Sequence, residues 1–518
     1  MTTTDRNNTW VEDVTLTPPS LNDNTADVDR LINTLKNRFK VSRIGTDLAL
    51  ARAIPECLRA WDYNARCILF EEGDNTVLIG IEAPDAGTVA AGMAIDLGTT
   101  RVVVRLIDLE TAEPLAESSF ENPQTSVGDD ILTRIHYADA PDGLETLNRL
   151  IVDGINHMAE TLCTRCGIQP ENIHIVSVAG NTTMTHFFLN LQSRWIIREP
   201  YIPAVNNPGV LSCAQAGLKA APHARLFVFP NVGSYFGGDL IAGILFSGIH
   251  RNEETSLLVD VGTNAEVVLG DKDWLMACAG AAGPALEGGV AGIGAKAGPG
   301  VIDGVTIDPE THDISVSTID DLPPVGICGS ALIDLMAGLF SAGLIDIRGK
   351  LNRDKYPEKI VETDGIPAFV VVPADRSGTG EPLTISQPDI DNIIRSKAAM
   401  YTILRTITAA VGLSLSDIGA FYVAGTFGSL INPVSAITLG MLPDLPLETF
   451  SVLGNSSLEG AAMVLTSRQP MRDIAAIQNR ITYLELNVNQ EFMNRFSAAK
   501  FLPHTERDLF PSVTIPKQ

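Results

Sequence analysis

Two short stretches of the chain share one combination of residues: a carboxylate, a glycine and small hydroxyl or amide side chains at the end of a hydrophobic run. The first is Asp96-Leu97-Gly98-Thr99-Thr100, and the second is Asp260-Val261-Gly262-Thr263-Asn264. Glycine lets the backbone turn sharply and approach a ligand with no Cβ in the way. The N–H groups and hydroxyls that follow then converge on a concave donor site suited to phosphate oxygens. A carboxylate at the strand end can hold a hydrated Mg²⁺ or orient the water that attacks a γ-phosphate. A single such stretch occurs by chance in ordinary turns. Two on matched frames, with a third glycine loop in FYVAGTFG that brings Gly425, Thr426 and Gly428, point to nucleotide binding.

The elements that must position these residues follow from the flanking pattern. GMAIDLG is a buried strand that passes across Gly98-Thr99-Thr100 straight into TTRVVVRLIDLET. Two strands joined so tightly form an antiparallel hairpin, not a crossover. A Rossmann or Walker-type phosphate site would place a helix here instead, so those nucleotide folds lose ground. The pattern restarts at Ser256 as SLLVDVG, TNAEVVLG and DWLMACAG, about 164 residues after its first appearance. A repeat of that period predicts two related α/β halves. Upstream, residues 1–16 read as a polar arm, 17–40 as a linker helix and 41–90 as a small α/β module. Residues 91–254 and 255–518 are then the two lobes, the second with a long helix over 388–418.

Composition sets outer bounds. The 518 residues are 45% hydrophobic, enough for several cores and too many for one. A formal net charge of -25 disfavours nucleic acid or an anionic membrane as a main partner. MTTTDRNNTW lacks the apolar region of a signal peptide, and no run approaches a membrane span. Seven scattered cysteines argue against a disulfide framework, so a cytoplasmic location is expected. Cys163-Thr-Arg-Cys166 falls in the last turn of a helix that ends at Gly167 and supplies two ligands where a zinc or iron–sulfur site takes four; structural thiols are expected. His186, in GNTTMTH, is expected as a cap or packing element rather than a ligand.

The hairpin loops and the FYVAGTFG segment together resemble the actin, sugar kinase and Hsp70 superfamily, whose two duplicated RNase H-like halves form a two-lobed ATPase. That resemblance implies that Asp96, Gly98, Thr99 and Thr100 form the first phosphate loop and Asp260, Gly262, Thr263 and Asn264 the second. Gly425, Thr426 and Gly428 would lie at the adenosine, with ATP and Mg²⁺ bound near Asp96 and Asp260. Longer runs narrow it: LLVDVGTNAEVVL, CAGAAGPALEGGVAGIGAKAGPGVID, VGICGSALIDLMAGLFSAGLID, VAGTFGSLINPVSAITLGMLPDLP and the closing LELNVNQEFMNRFSAAKFLPH are similar to the reductive activators of corrinoid proteins.

This narrower resemblance spans nearly the whole chain from PSLNDNTADVDRL onward. It implies ATP-driven reduction of an inactive Co(II) cobamide to Co(I) on a partner corrinoid protein of a methyltransferase system, by a homodimer. Activators of this kind begin with a ferredoxin-like domain that holds a [2Fe–2S] cluster through four cysteines. The N-terminal region here offers only Cys57 and Cys67, so no cluster is expected and a separate ferredoxin or other reductant is implied. Two other readings stay open: a small-molecule kinase of the same superfamily, and a regulatory ATPase without a redox role.

Overall fold

A computed structural model describes residues 9–516, apart from 74, 85–86, 263–264, 281–289, 355, 364, 426–430, 485 and 487–489. The chain divides into two compact units. One comprises Met1–Phe246 with Ser456–Arg480, and the other Ser247–Asn455 with Ile481–Gln518.

The first unit opens with a four-stranded sheet of β1 (Val11–Thr15), β2 (Ile44–Thr46), β3 (Asn64–Glu72) and β4 (Asn75–Glu82), in the order β1-β3-β4-β2. Two helices, α1 (Asp27–Phe39) and α2 (Leu48–Ala60), bury Leu31, Leu35, Ile54 and Leu58 against Val14, Leu69 and Leu78. Residues 11–15 correct the expectation of a polar arm. They pair with β3, and Trp10 beside them is fully buried. The charged letters of VEDVT hide a strand in which Val11, Glu12 and Val14 are all buried, with Val14 packed into the core of the module. Trp10 packs against Phe70 at 4.8 Å between ring centroids and donates its indole N–H to Val464 O at 2.9 Å.

A six-stranded sheet follows, built from β5 (Ala91–Leu97), β6 (Arg101–Asp108), β7 (Pro114–Glu121), β8 (Ile173–Gly180), β9 (Val210–Ser212) and β10 (Arg225–Val228), in the order β7-β6-β5-β8-β10-β9. The first three pair antiparallel, whereas β8 runs parallel to β5, and β10 parallel to β8. The strand β8, IHIVSVAG, is buried at every position, as a central strand covered on both faces must be. Between β7 and β8 come α3 (Ile131–Ala138) and α4 (Gly143–Cys166), whose Leu147, Ile151 and Ile155 pack into the core beneath β5 and β6. Two short helices, α5 (Thr182–Phe188) and α6 (Gly238–Ser247), follow β8 and β10. The returning segment adds α10 (Ser456–Thr466) and α11 (Gln469–Arg480), so it cuts across the expected boundary of a second lobe over 255–518. Gly460 of α10 crosses so close to α6 that a Cβ there would collide with Ala242 O.

The second unit repeats the plan. Its six-stranded sheet holds β11 (Ser256–Val261), β12 (Ala265–Gly270), β13 (Leu275–Gly280), β20 (Ala420–Ala424), β21 (Phe450–Gly454) and β22 (Ile481–Tyr483), in the order β21-β20-β11-β12-β13-β22. Again three consecutive strands form an antiparallel meander, and the first of them takes two parallel neighbours, β20 and then β21. Two three-stranded sheets lie between: β14 (Val301–Ile307), β15 (Ile314–Thr318) and β16 (Gly326–Ile327), then β17 (Ile360–Thr363), β18 (Ile366–Val372) and β19 (Leu383–Ser386). The helices are α7 (Gly329–Ser341), α8 (Gln387–Ala410), α9 (Pro433–Leu439) and α12 (Gln490–Ala499). The long α8 starts where Ser386 and Asp389 bond each other's backbone N–H, a reciprocal cap that satisfies two otherwise orphaned donors.

Trp10→Ala would remove a large buried ring and strand the Val464 carbonyl. We expect the first unit to lose about 3–5 kcal/mol, read as a lowered denaturation midpoint; an unchanged midpoint would show that residues 9–15 do not hold the module in place.

Candidate functional site

Along β5 every residue is buried except Asp96, which is half-buried, and along β11 the same is true of Asp260. Each carboxylate sits one residue from the end of a central strand. Asp96 lies opposite Val103 on one side and Ala179 on the other; Asp260 lies opposite Glu266 and Ala424. The chain brings each acidic residue to the end where the parallel strands of its sheet finish, which is where open α/β sheets bind ligands.

After Asp96 the chain reverses through Gly98, where a Cβ would collide with Arg101 O. The loop that results is held from behind. Asn122 donates its side-chain N–H to Gly98 O at 2.9 Å and its backbone N–H to Thr100 O at 2.8 Å. Arg134 Nη1 donates to Thr99 O at 2.8 Å, and Asn181 Nδ2 donates to Thr99 Oγ1 at 3.1 Å. Asn181 also caps α5, accepting the Met184 N–H at 2.9 Å. A Cβ on Gly237, in the loop after β10, would stand 2.5 Å from Asn181 Cα and 2.6 Å from Asp239 Oδ1. The loops that follow β5, β8 and β10 therefore stack directly on one another, and glycine permits the approach.

In the second unit Gly425, just after β20, lies in the left-handed region, at φ +87°, and accepts no side chain: a Cβ would lie 2.7 Å from Asp260 Oδ1 and 2.8 Å from Val261 O. Its N–H donates to Gly454 O at 3.0 Å, tying β20 to β21 beyond the last register pair. Asp260, the half-buried Gly262 and Gly425 thus come together. Thr263, Asn264, Thr426 and Gly428 lie outside the described residues.

Three residues that hold the first loop, Asn122, Arg134 and Asn181, carry no functional signal in the sequence. Asn181 stands in a visible Gly-Asn-Thr-Thr turn, but its bond to Thr99 comes from another element. His186 is fully buried and uses both ring nitrogens for structure. Its Nδ1–H donates to Thr182 O at 2.6 Å, and Nε2 accepts the Ala204 N–H at 3.1 Å. Burial lowers its pKa below the ordinary value, so it stays neutral. All seven cysteines are free; burial pushes the Cys163 thiol up to about 11 and Cys213 up to about 12, which suits inert packing.

Among the described residues no group of three His, Cys, Asp or Glu side chains could hold a metal ion. A carboxylate at a strand end still suits Mg²⁺, which is commonly held by one or two carboxylates, substrate phosphates and water. No helix of the described chain is long and apolar enough to cross a membrane.

Three family models match consecutive parts of the chain: the RACo linker region over residues 6–87, the RACo middle region over 91–252, and the C-terminal domain of RACo, its ASKHA domain, over 254–514. The junction between the last two falls close to the boundary of the two units. A corrinoid activation enzyme, RamQ of Eubacterium limosum, is 30% identical over 413 residues, which cover 78% of this chain and 69% of that protein. A [Co(II) methylated amine-specific corrinoid protein] reductase of Methanosarcina barkeri is 24% identical over 440 residues, 78% of this chain and 75% of the relative. Among solved structures, a reductive activator for a corrinoid, iron–sulfur protein superposes with a TM-score of 0.87 at 39% identity, covering 98% of this chain and 81% of that one.

Gly425→Val would force a branched side chain into a left-handed position against Asp260. A loss of about 1–3 kcal/mol in the second unit is expected, read from its denaturation midpoint. Full retention of stability would mean that β20 does not end against the carboxylate as described.

Proposed function

The chain belongs to the RACo family, and from that membership we propose that it is an ATP-dependent reductive activator of a corrinoid protein, returning an inactive Co(II) cobamide to Co(I). The observation that carries the nucleotide half of this reading is the duplicated construction. Each unit ends a buried central strand in a single half-buried carboxylate, followed by a glycine reversal. The comparisons support the corrinoid half, since relatives named for corrinoid activation align over most of the chain.

In this reading each hairpin loop acts on nucleotide phosphate. The backbone N–H groups and hydroxyls of Thr99 and Thr100 take phosphate oxygens, as do Gly262, Thr263 and Asn264 in the second unit. Gly425, Thr426 and Gly428 border the adenosine. Asp96 and Asp260 hold the water molecules around the phosphates in place, one of them aligned for attack on the γ-phosphate. Mg²⁺, when bound near these carboxylates, offsets phosphate charge and stabilises the charge that develops as the terminal group departs.

Hydrolysis can drive the partner only through differential binding. The nucleotide-dependent forms must grip the Co(II) and Co(I) states of the corrinoid protein unequally, because a ligand that binds both states alike shifts nothing. The redox step takes up one electron, converting Co(II) to Co(I), and we assign its supply to a separate ferredoxin or other reductant. A homodimer in the cytoplasm is the expected setting.

The reading is tested by mixing the protein, ATP, Mg²⁺ and a low-potential reductant with a Co(II) corrinoid protein and following the visible spectrum. An ATP-dependent loss of the Co(II) band is expected, and its absence with every cognate corrinoid protein would sink the proposal. Asp260→Asn should lower ATP turnover by about 100-fold or more and slow the spectral change in step; unchanged turnover would place the chemistry elsewhere.

A further inference from the structure

We infer that Arg134 is a positioning residue for the nucleotide: its guanidinium holds the Gly98–Thr100 loop with the N–H donors turned outward and supplies the positive charge behind them. The inference rests on the reading of that loop as a phosphate loop.

The backbone argument comes first. In a planar trans peptide the carbonyl of one residue and the N–H of the next point in opposite directions. Asn122 holds the carbonyl of Gly98, Arg134 that of Thr99, and the Asn122 backbone N–H that of Thr100. With those oxygens drawn inward, the N–H groups of Thr99 and Thr100 face the other way, toward the side where an anion would sit. Of these three carbonyls only that of Thr99 is held by a charged group, and that group sits on a different element, α3. Arg134 also donates from Nε to Gly128 O at 2.7 Å and from Nη1 to Gln124 Oε1 at 3.3 Å. One rigid fork therefore ties the hairpin to the turn preceding α3 and to the 123–126 segment.

The charge argument is separate. Arg134 has no solvent exposure, and among the described residues its hydrogen bonds go to two carbonyls, one carboxamide and the Met184 sulfur at 3.6 Å, with none to a carboxylate. Among the described residues its Nη2 has no hydrogen-bond partner. Burial weighs against its charged form, opposed only by the more distant Asp129 and Asp130, and Asp130 is already engaged in capping α3 through Thr133. A buried guanidinium without a paired anion is costly to maintain. Bound phosphate on the far face of the loop it grips is the anion that offsets that cost, so the group is a poor structural cation and a good phosphate counter-charge.

The test compares ATP with adenosine, which lacks the phosphates. Arg134→Gln in the full-length protein should weaken ATP binding by about tenfold or more and leave adenosine affinity within about twofold. Arg134→Lys, which keeps the charge without the fork, should recover part of the loss. A purely structural role would lower the denaturation midpoint and leave the ATP-to-adenosine ratio unchanged, and a folded Arg134→Gln protein with that unchanged ratio overturns the inference. If Arg134→Gln does not fold, Gln124→Leu, which removes one acceptor from Nη1, should shift the ratio in the same direction by about threefold; no shift there also overturns it. Failure of the unaltered protein to bind ATP would be a different result: it would overturn the phosphate-loop reading itself, and this inference with it.

Discussion

Each unit is organised around one constraint: an acidic residue must be carried to the end of a strand that is otherwise buried on both faces. Taking a carboxylate fully out of water is expensive, and in both units the strand finishes immediately after it and leaves the group partly exposed at its tip. Asp96 and Asp260 are accordingly half-buried while their neighbours on β5 and β11 are buried. The reversal that follows leaves no room for a side chain at Gly98. A crossover helix after the acidic strand would bury the tip, and an antiparallel partner, β6 or β12, keeps it open. The meander with two parallel neighbours then follows in both sheets.

The first unit is tied together by contacts remote in sequence. After β21 the chain leaves the second unit, contributes α10 and α11 to the first, and returns to form β22. On α10 Val464 accepts the indole N–H of Trp10, and just beyond that helix Arg468 lies over the rings of Trp10 and Phe39, 5.4 and 4.3 Å from their centroids. The small module is also fixed to the larger sheet of the same unit by Arg225 with Glu72 at 2.6 Å and by His174 with Glu82 at 3.2 Å. Exposed polar pairs contribute little, but these two contacts are mostly shielded, the Arg225 and His174 side chains being 11% and 8% exposed. The module and the segment Ser456–Arg480 are therefore parts of one body.

Much of this was legible in the sequence because it is local. The spacing of Val28, Leu31, Ile32 and Leu35 marks α1, Gly167 marks the end of α4, and the repeated strand–Asp–Gly reversal marks both hairpins. What was not legible is non-local. The strand VEDVT was hidden because its charged residues dominate the count and its burial, with Glu12 covered beside Val11 and Val14, breaks the simple apolar-polar alternation. The return of α10 to the first unit has no signature, since its apolar face would suit either core. Asn122, Arg134 and Asn181 were missed for the same reason: each is unremarkable in its own helix or turn, and its role appears only when three elements converge on Gly98–Thr100.

That the hairpin loops bind nucleotide phosphate is the central claim, and calorimetric titration of ATP tests it most directly. The account predicts that ATP binds and that replacing Gly98 or Gly262 by valine, in an otherwise folded protein, weakens that binding by about tenfold or more. ATP affinity unchanged in both folded variants would contradict it.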